Sequence, residues 1–264
     1  MPLRPLAAAL VLALALGGCK SLGDVTGSIG SSRATPLPES SDGLRSYSET
    51  WGRKFEANPD DKAAAFNYAR SLKALTLYEQ AASVMQTAVL RHPKDFELIG
   101  GYGKALLDAG RLQEADAVLA NAQTPERPNW DILSTQGQVA DQLGDHAKAQ
   151  ALYADALKLM PNEPRVMSNL GLSYALAKNL PGAERVLRQA SEDPRADSRV
   201  RQNFALVLAL EGKFAEAEQV SGRDVTADQA KSNVAAIRAM IAQSNTWRDI
   251  QKLGNGQVVA KKRS

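Results

Sequence analysis

The stretch ELIGGYGKALLDAGRLQEADAVLANA, Glu97–Ala122, decides how this 264-residue chain folds. Leu98, Tyr102, Ala105 and Leu106 recur at the three- and four-residue steps of one helix face, and Leu112, Ala115, Leu119 and Ala122 do the same beyond Gly110. Glycine takes the left-handed conformation that ends a helix without steric penalty. Gly110 therefore predicts a bend between two helices, over Glu97–Ala109 and Leu112–Ala122. One such pair cannot bury its apolar side alone, so the chain has to supply further pairs that stack against it.

It supplies them every 34 residues. Ala81, Ala115, Ala149, Ala183 and Ala217 form one column of the self-alignment, and Ala69, Gly103, Gly137, Gly171 and Ala205 form a second. A third holds Ala88, Ala122, Ala156 and Ala190, then fails at Asp224. Small residues in the first two columns let the helices of one pair approach closely, and the third column packs on the next pair. Gly144 and Gly212 repeat the bend. In the fourth pair, Lys178-Asn179-Leu180-Pro181-Gly182, Asn179 is expected to replace the glycine, with Pro181 in the first turn of the next helix. Gly100, Gly101 and Gly103 cluster inside a first helix, where simple tolerance of glycine explains them.

The columns correspond to positions 8, 20 and 27 of the tetratricopeptide repeat, which the chain resembles over residues 62–231. Tyr68, Tyr102, Leu170 and Phe204 agree at position 7, Leu72, Leu106, Tyr174 and Leu208 at position 11, and Pro93 and Pro161 at position 32. The resemblance implies an all-α tetratricopeptide-repeat superhelical solenoid of five helix-turn-helix units, 62–95, 96–129, 130–163, 164–197 and 198–231. Gln136 and Ala140 stand where the third unit would carry large residues. Ser221 and Asp224 replace apolar residues in the fifth, so its second helix is expected to be short. Leu44, Tyr47, Trp51 and Phe55 place a capping helix within 43–61. Thr226-Ala-Asp-Gln229 reads as a capping box that opens a terminal cap over 226–243, with Ala230, Val234, Ile237 and Ile241 on one face.

Composition locates the rest. The chain has 43 Ala against 14 aromatic residues, which suits helices meeting through small side chains. A net charge of +3 argues against a dedicated nucleic-acid surface. Residues 1–18 read as a secretory leader, with Arg4 before the eleven apolar residues Leu6–Leu16, too short to span a bilayer of about 30 Å. Leu16-Gly17-Gly18-Cys19 resembles the lipobox of bacterial lipoproteins, which implies that Cys19, the one cysteine, is the lipidation site and membrane anchor. Lys20, where an Asp would favour inner-membrane retention by family analogy, points to the periplasmic face of the outer membrane. Residues 19–42 hold that cysteine and a Gly-, Ser-, Thr- and Pro-rich tether of about 26 Å r.m.s. reach. Residues 244–264 form a basic tail ending Lys261-Lys262-Arg263, expected to be a solvated disordered end.

Nothing in the sequence marks an enzyme. There is no phosphate loop, nucleophile elbow or paired metal ligands, and no cofactor or metal is expected. The carboxylates of Asp60-Asp61, Glu114 with Asp116, and Glu216 with Glu218 sit at helix starts or on solvated faces. A stack of repeats instead offers a long face of first helices to a protein or peptide. In the family, Asn at position 6 holds the backbone of an extended peptide, and here that position carries Asn67, Asn169 and Asn203. The amide offers both a donor and an acceptor to a peptide group. Arg165, Arg199 and Gln202 flank the last two, with Leu172, Leu176, Leu206 and Leu210 deeper. Two readings stay open: these residues form a groove, or the leucines pack beneath the following helix and the asparagines face water.

Leader, tether, repeats and tail in this order resemble the TadD family of Flp (tight adherence) pilus assembly lipoproteins. That resemblance implies a pilotin-like scaffold binding a secretin or another pilus subunit. One alternative shares the architecture, an adaptor for barrel assembly or cell-wall synthesis; a second, from a different class, is an accessory peptidoglycan enzyme or its regulator.

Overall fold

The structure is a computed structural model that describes residues 36–243. The leader, Cys19, the tether up to residue 35 and the basic tail lie outside the described residues. Helices and turns make up the described chain, which divides into two compact units at Met160 and Pro161.

The first unit holds α1 (Ser41–Ala57), α2 (Lys62–Ala74), α3 (Tyr78–Arg91), α4 (Phe96–Asp108), α5 (Leu112–Leu119), α6 (Trp130–Leu143) and α7 (His146–Leu159). The second holds α8 (Pro164–Leu176), α9 (Leu180–Glu192), α10 (Ser198–Leu210), α11 (Phe214–Ser221) and a terminal helix, α12, over 227–243. First helices thus begin at residues 62, 96, 130, 164 and 198, and second helices at 78, 112, 146, 180 and 214, so both series keep the 34-residue step.

Local chemistry sets these starts. The residue before each first helix is Asp61, Asp95, Asn129, Glu163 or Asp197, and all but Glu163 accept a hydrogen bond from a first-turn backbone N–H. Glu163 turns instead to Arg165 Nε at 3.1 Å, while Pro164 supplies the helical φ. Ser40 Oγ accepts from Gly43 N and starts α1 at Ser41, two residues ahead of the expected boundary.

The bends are equally periodic. Thr76, Gly110, Gly144, Lys178 and Gly212 all have left-handed φ, between +61° and +88°. In the fourth bend this is a correction: Lys178 takes the glycine position, and Asn179 caps α9 by accepting from Gly182 N at 3.0 Å. A side chain in this conformation costs roughly 1–2 kcal/mol, so Thr76 and Lys178 are held there by the helices on either side.

Small residues do their work inside each pair. A Cβ built on Gly103 would lie 2.5 Å from Leu119, on Gly137 2.6 Å from the Tyr153 ring, and on Gly171 2.5 Å from Leu187. The Gly100–Gly103 cluster is also corrected from tolerance to packing, because Ile132 fills the space beside Gly100 and Phe66 and Met85 fill that beside Gly101. Each helical glycine forfeits about 1 kcal/mol relative to Ala, and close approach offsets it.

The core of the first unit runs from Phe55 through Leu98, Leu106 and Leu119 to Val139. That of the second runs from Ala183 and Leu187 through Phe204 and Leu208 to Val234 of α12. Leu44 and Phe55 of α1 are buried, with Trp51 packed beside that first core. At the other end Thr226 Oγ1 accepts from Gln229 N at 3.3 Å, Ile237 packs on the second core, and the Arg238 guanidinium lies 5.1 Å from the Phe214 ring. α11 is short, eight residues; so is α5, which stops at Leu119 rather than Ala122 before a loop containing Pro125 and Pro128.

Candidate functional site

Each first helix has one face that the core leaves uncovered. In the second unit, α8 and α10 present this face with almost the same residues. Arg165, Leu172 and Leu176 of α8 recur as Arg199, Leu206 and Leu210 of α10. Leu172, Leu176, Leu206 and Leu210 are all partly exposed and lie outside the buried core, so they form an apolar strip. Arg199 and Gln202 are exposed beside it, and Arg165 is half-buried against Glu163. Arg195 also reaches Glu163, at 3.6 Å, and donates to Asn162 O at 2.7 Å.

Asn67 and Asn203 occupy neither of the two settings that the sequence left open. Asn203 is 5% exposed, and its Nδ2 donates to Ser168 Oγ at 2.9 Å, joining α10 to α8. Asn67, also 5% exposed, accepts at Oδ1 from Tyr47 Oη at 2.9 Å and donates from Nδ2 to Ala63 O at 2.8 Å. Both amides therefore serve the fold, and Asn67 ties the capping helix to the first repeat. Asn169 is half-buried and has a partner of its own. Sequence reasoning missed Tyr47, whose spacing marks it only as a residue of the cap's apolar face.

In the first unit the same face is charged and closed on itself. Lys62 Nζ lies 2.6 Å from Asp95 and 3.4 Å from Glu97, Lys73 Nζ lies 2.7 Å from Asp108, and Lys104 pairs with Asp131. Each pair bridges one first helix to the next. Burial would raise the Asp95 carboxyl, but the Lys62 ammonium and the Leu98 and Glu97 backbone N–H groups hold it below its ordinary value. On the outer side of the second unit, Lys213 and Arg188 hold the Glu184 carboxyl down at about 2, and Arg188 also reaches Glu216 at 2.7 Å.

One polar cluster has groups of catalytic type. Tyr153 Oη donates to Asp141 Oδ2 at 3.1 Å, and His146 Nδ1 lies 2.9 Å from Asp141 Oδ1. Tyr153 is 1% exposed, and burial followed by the Asp141 charge pushes its hydroxyl far above the usual range. It is the neutral pin of the third repeat, whose ring fills the space beside Gly137. Among the described residues no three His, Cys, Asp or Glu side chains gather as metal ligands, and no helix is long and apolar enough to cross a membrane.

Residues 66–128 match one tetratricopeptide-repeat family model, and residues 142–207 match another. Cellulose synthase operon protein C of Xanthomonas axonopodis pv. citri (strain 306) is 31% identical over 179 residues, covering 64% of this chain and 12% of that protein. The chain thus spans about an eighth of that relative's length. A thermophilic tetratricopeptide-repeat protein of Thermus thermophilus superposes with a TM-score of 0.55 at 24% identity, covering 63% of this chain and 91% of that one. PilW, described as a widely conserved type IV pilus biogenesis factor, superposes with a TM-score of 0.55 at 19% identity, covering 69% and 83%. These likenesses establish the fold, an all-α tetratricopeptide-repeat solenoid, a scaffold for protein interactions.

Proposed function

We propose that this tetratricopeptide-repeat chain is a non-catalytic, membrane-anchored scaffold that captures a protein partner on the uncovered face of α8 and α10 during assembly of Flp pili. The observation that carries the reading is the partly exposed strip of Leu172, Leu176, Leu206 and Leu210, repeated on two adjacent helices and flanked by Arg165, Arg199 and Gln202. A contiguous set of partly exposed apolar side chains rimmed by polar residues favours an interaction surface. The amides of Asn67 and Asn203 are engaged within the fold, so affinity at this face rests on the leucines and the rim. The architectural resemblance to pilus assembly lipoproteins supplies the pilus context. The alternative is an outer-membrane adaptor for barrel assembly or cell-wall synthesis.

The anchor belongs to the same proposal. Acylated Cys19 would hold the repeats on the periplasmic face of the outer membrane, and the tether would raise the effective concentration of the face toward partners there. A photo-crosslinker at the exposed position Gln202, used in cells, is expected to capture a secretin or another pilus subunit. Capture of a barrel-assembly component or a wall synthase would select the adaptor reading instead. Changing Cys19→Ser is expected to release the chain from membranes; retention would refute lipidation.

A further inference from the structure

The face of α8 and α10 offers leucine and arginine to a visitor, but little to a peptide backbone. An extended peptide brings an N–H and a C=O at every residue, and a groove that grips it has to answer those groups. The amides placed to do so are engaged. Asn203 Nδ2 donates to Ser168 Oγ at 2.9 Å, both residues are buried, and Asn169 has a partner of its own. From there to the C-terminal ends of the two helices, the uncovered residues of this face are Leu172 and Leu176 on one and Leu206 and Leu210 on the other. Gln202 is exposed, but on the rim. An extended backbone laid over the leucines would lose water from polar groups that find no partner, at about 1–3 kcal/mol each. A helix bonds its backbone groups to one another and escapes that cost.

The spacing along the face is helical as well. Leu172 and Leu176 are about one turn apart, as are Leu206 and Leu210, a rise of about 6 Å. Arg165 and Arg199 precede Leu172 and Leu206 by two turns, about 10 Å along the same side of their helices. The Asn203–Ser168 bond holds the two helices side by side, so a helix lying along the boundary between them touches both leucine pairs. On that occupant, two apolar residues one turn apart meet the leucines. A residue two turns beyond reaches the arginines, and all three positions fall on one side of the occupant.

The rim selects the charge of that third residue. Arg165, Arg195 and Arg199 share this edge with Glu163, Asp193 and Asp197, so the formal charges cancel. Their exposures do not. The Arg165 and Arg195 side chains are 38% and 52% exposed, whereas those of Glu163 and Asp193 are 11% and 19%. Asp197 is turned to its own helix, accepting from Val200 N at 3.0 Å, and Arg199 is exposed. Cations therefore face outward and carboxylates inward, which is complementary to an acidic side chain.

We propose that the occupant of this face is an amphipathic helix of a partner protein, lying along the boundary of α8 and α10. Its two apolar residues, four apart, sit on Leu172, Leu176, Leu206 and Leu210, and an Asp or Glu seven residues beyond them meets Arg199 and Arg165. The proposal rests on the reading of this face as the docking surface and names the partner's chemistry, a helix in place of the extended peptide that the family resemblance implies.

The probe is a fluorescein-labelled synthetic peptide of Ala and Gln carrying two Leu four apart and a Glu seven beyond. Titrated with the full chain carrying Cys19→Ser, it is expected to gain anisotropy and helical circular dichroism together. A hydrocarbon staple on its outer side is expected to tighten binding several-fold, because the helix is already ordered. A proline between the two Leu is expected to weaken binding about ten-fold. Equal or tighter binding of the proline peptide would assign the face to an extended segment and overturn the proposal, as would no binding of the stapled one. Leu172→Asp with Leu206→Asp is expected to remove binding, and unchanged affinity would overturn the placement. Arg199→Glu is expected to weaken the Glu peptide several-fold and to be rescued by a peptide with Lys in place of Glu. The rescue also shows that the variant is folded, and its failure would overturn the acidic position. A dimer of the chain that is lost in the leucine variant would give the face to a second copy and overturn the proposal. The two readings fail separately. Peptide binding as expected, with no protein captured at Gln202 in cells, would sink the proposed function and leave the helix preference. Capture at Gln202 with a preference for the proline peptide would do the reverse.

Discussion

The two units use one helix face in opposite ways. Lys104 and Asp131 form an ion pair between neighbouring first helices of the first unit; the same two positions in the second unit are Leu172 and Arg199. Lys73 and Asp108 form another, and their counterparts are Ala175 and Leu210. The second unit joins its first helices with the buried Asn203–Ser168 hydrogen bond, where the first packs Gly101 against Phe66. A tetratricopeptide-repeat scaffold can thus seal its uncovered face with charge pairs or leave it apolar. The backbone periodicity is the same in both cases, so the character of the face is decided by a handful of side chains.

The comparison can be broken most severely at its joints. Gly101→Asn would carry the second unit's residue into the first, but its Cβ meets Phe66 at 2.6 Å and Met85 at 2.7 Å. A loss of about 3 kcal/mol is expected from such overpacking, read as a lower denaturation midpoint; a neutral result would mean that the two joints are interchangeable. Leu172→Asp with Leu206→Asp is expected to reduce partner crosslinking at Gln202 at least ten-fold, about 1.4 kcal/mol, with helical content kept. Lys73→Ala with Lys104→Ala is expected to lower stability and leave capture unchanged, and equal loss of capture in both variants would erase the contrast between the units.

A smaller effect sharpens what the units share. Thr76→Gly in the first and Lys178→Gly in the second are each expected to stabilise by about 1 kcal/mol, because both residues are held at left-handed φ where the other bends have glycine. A lowered melting temperature in either would show that its side chain makes a compensating contact. The smallest effect concerns acid. Asp95 and Glu184 are held below their ordinary values, Glu184 at about 2. Their stabilisation is complete above an unfolded carboxyl pKa of about 4 and is lost as pH falls through the folded value. Asp95→Asn and Glu184→Gln should each flatten the loss of stability between pH 5 and pH 2, and an unchanged acid limb would show the pair to be inert.

The repeat was legible because its physics is local and periodic. Helix starts at residues 62, 96, 130, 164 and 198 follow from caps and apolar steps that recur in the chain. The bend at Lys178 was not legible, since Asn tolerates left-handed φ better than Lys and drew the expectation one residue too far. The leucine strip could be read as a repeated pattern, but whether it is covered depends on helices elsewhere in the unit. The asparagines were the least legible. Asn67 finds Tyr47 twenty residues earlier, and Asn203 finds Ser168 thirty-five residues earlier.

By itself the sequence determined the all-α class, the 34-residue unit, most of the bends and the small-residue columns, because each depends on backbone geometry and on contacts within one repeat. Only the tertiary structure decided which polar groups are engaged, that Gly100, Gly101 and Gly103 make room for four different neighbours, and which uncovered face is apolar. A hydrogen bond or a packing contact needs both of its partners in place, and the partner's position is a property of the folded stack.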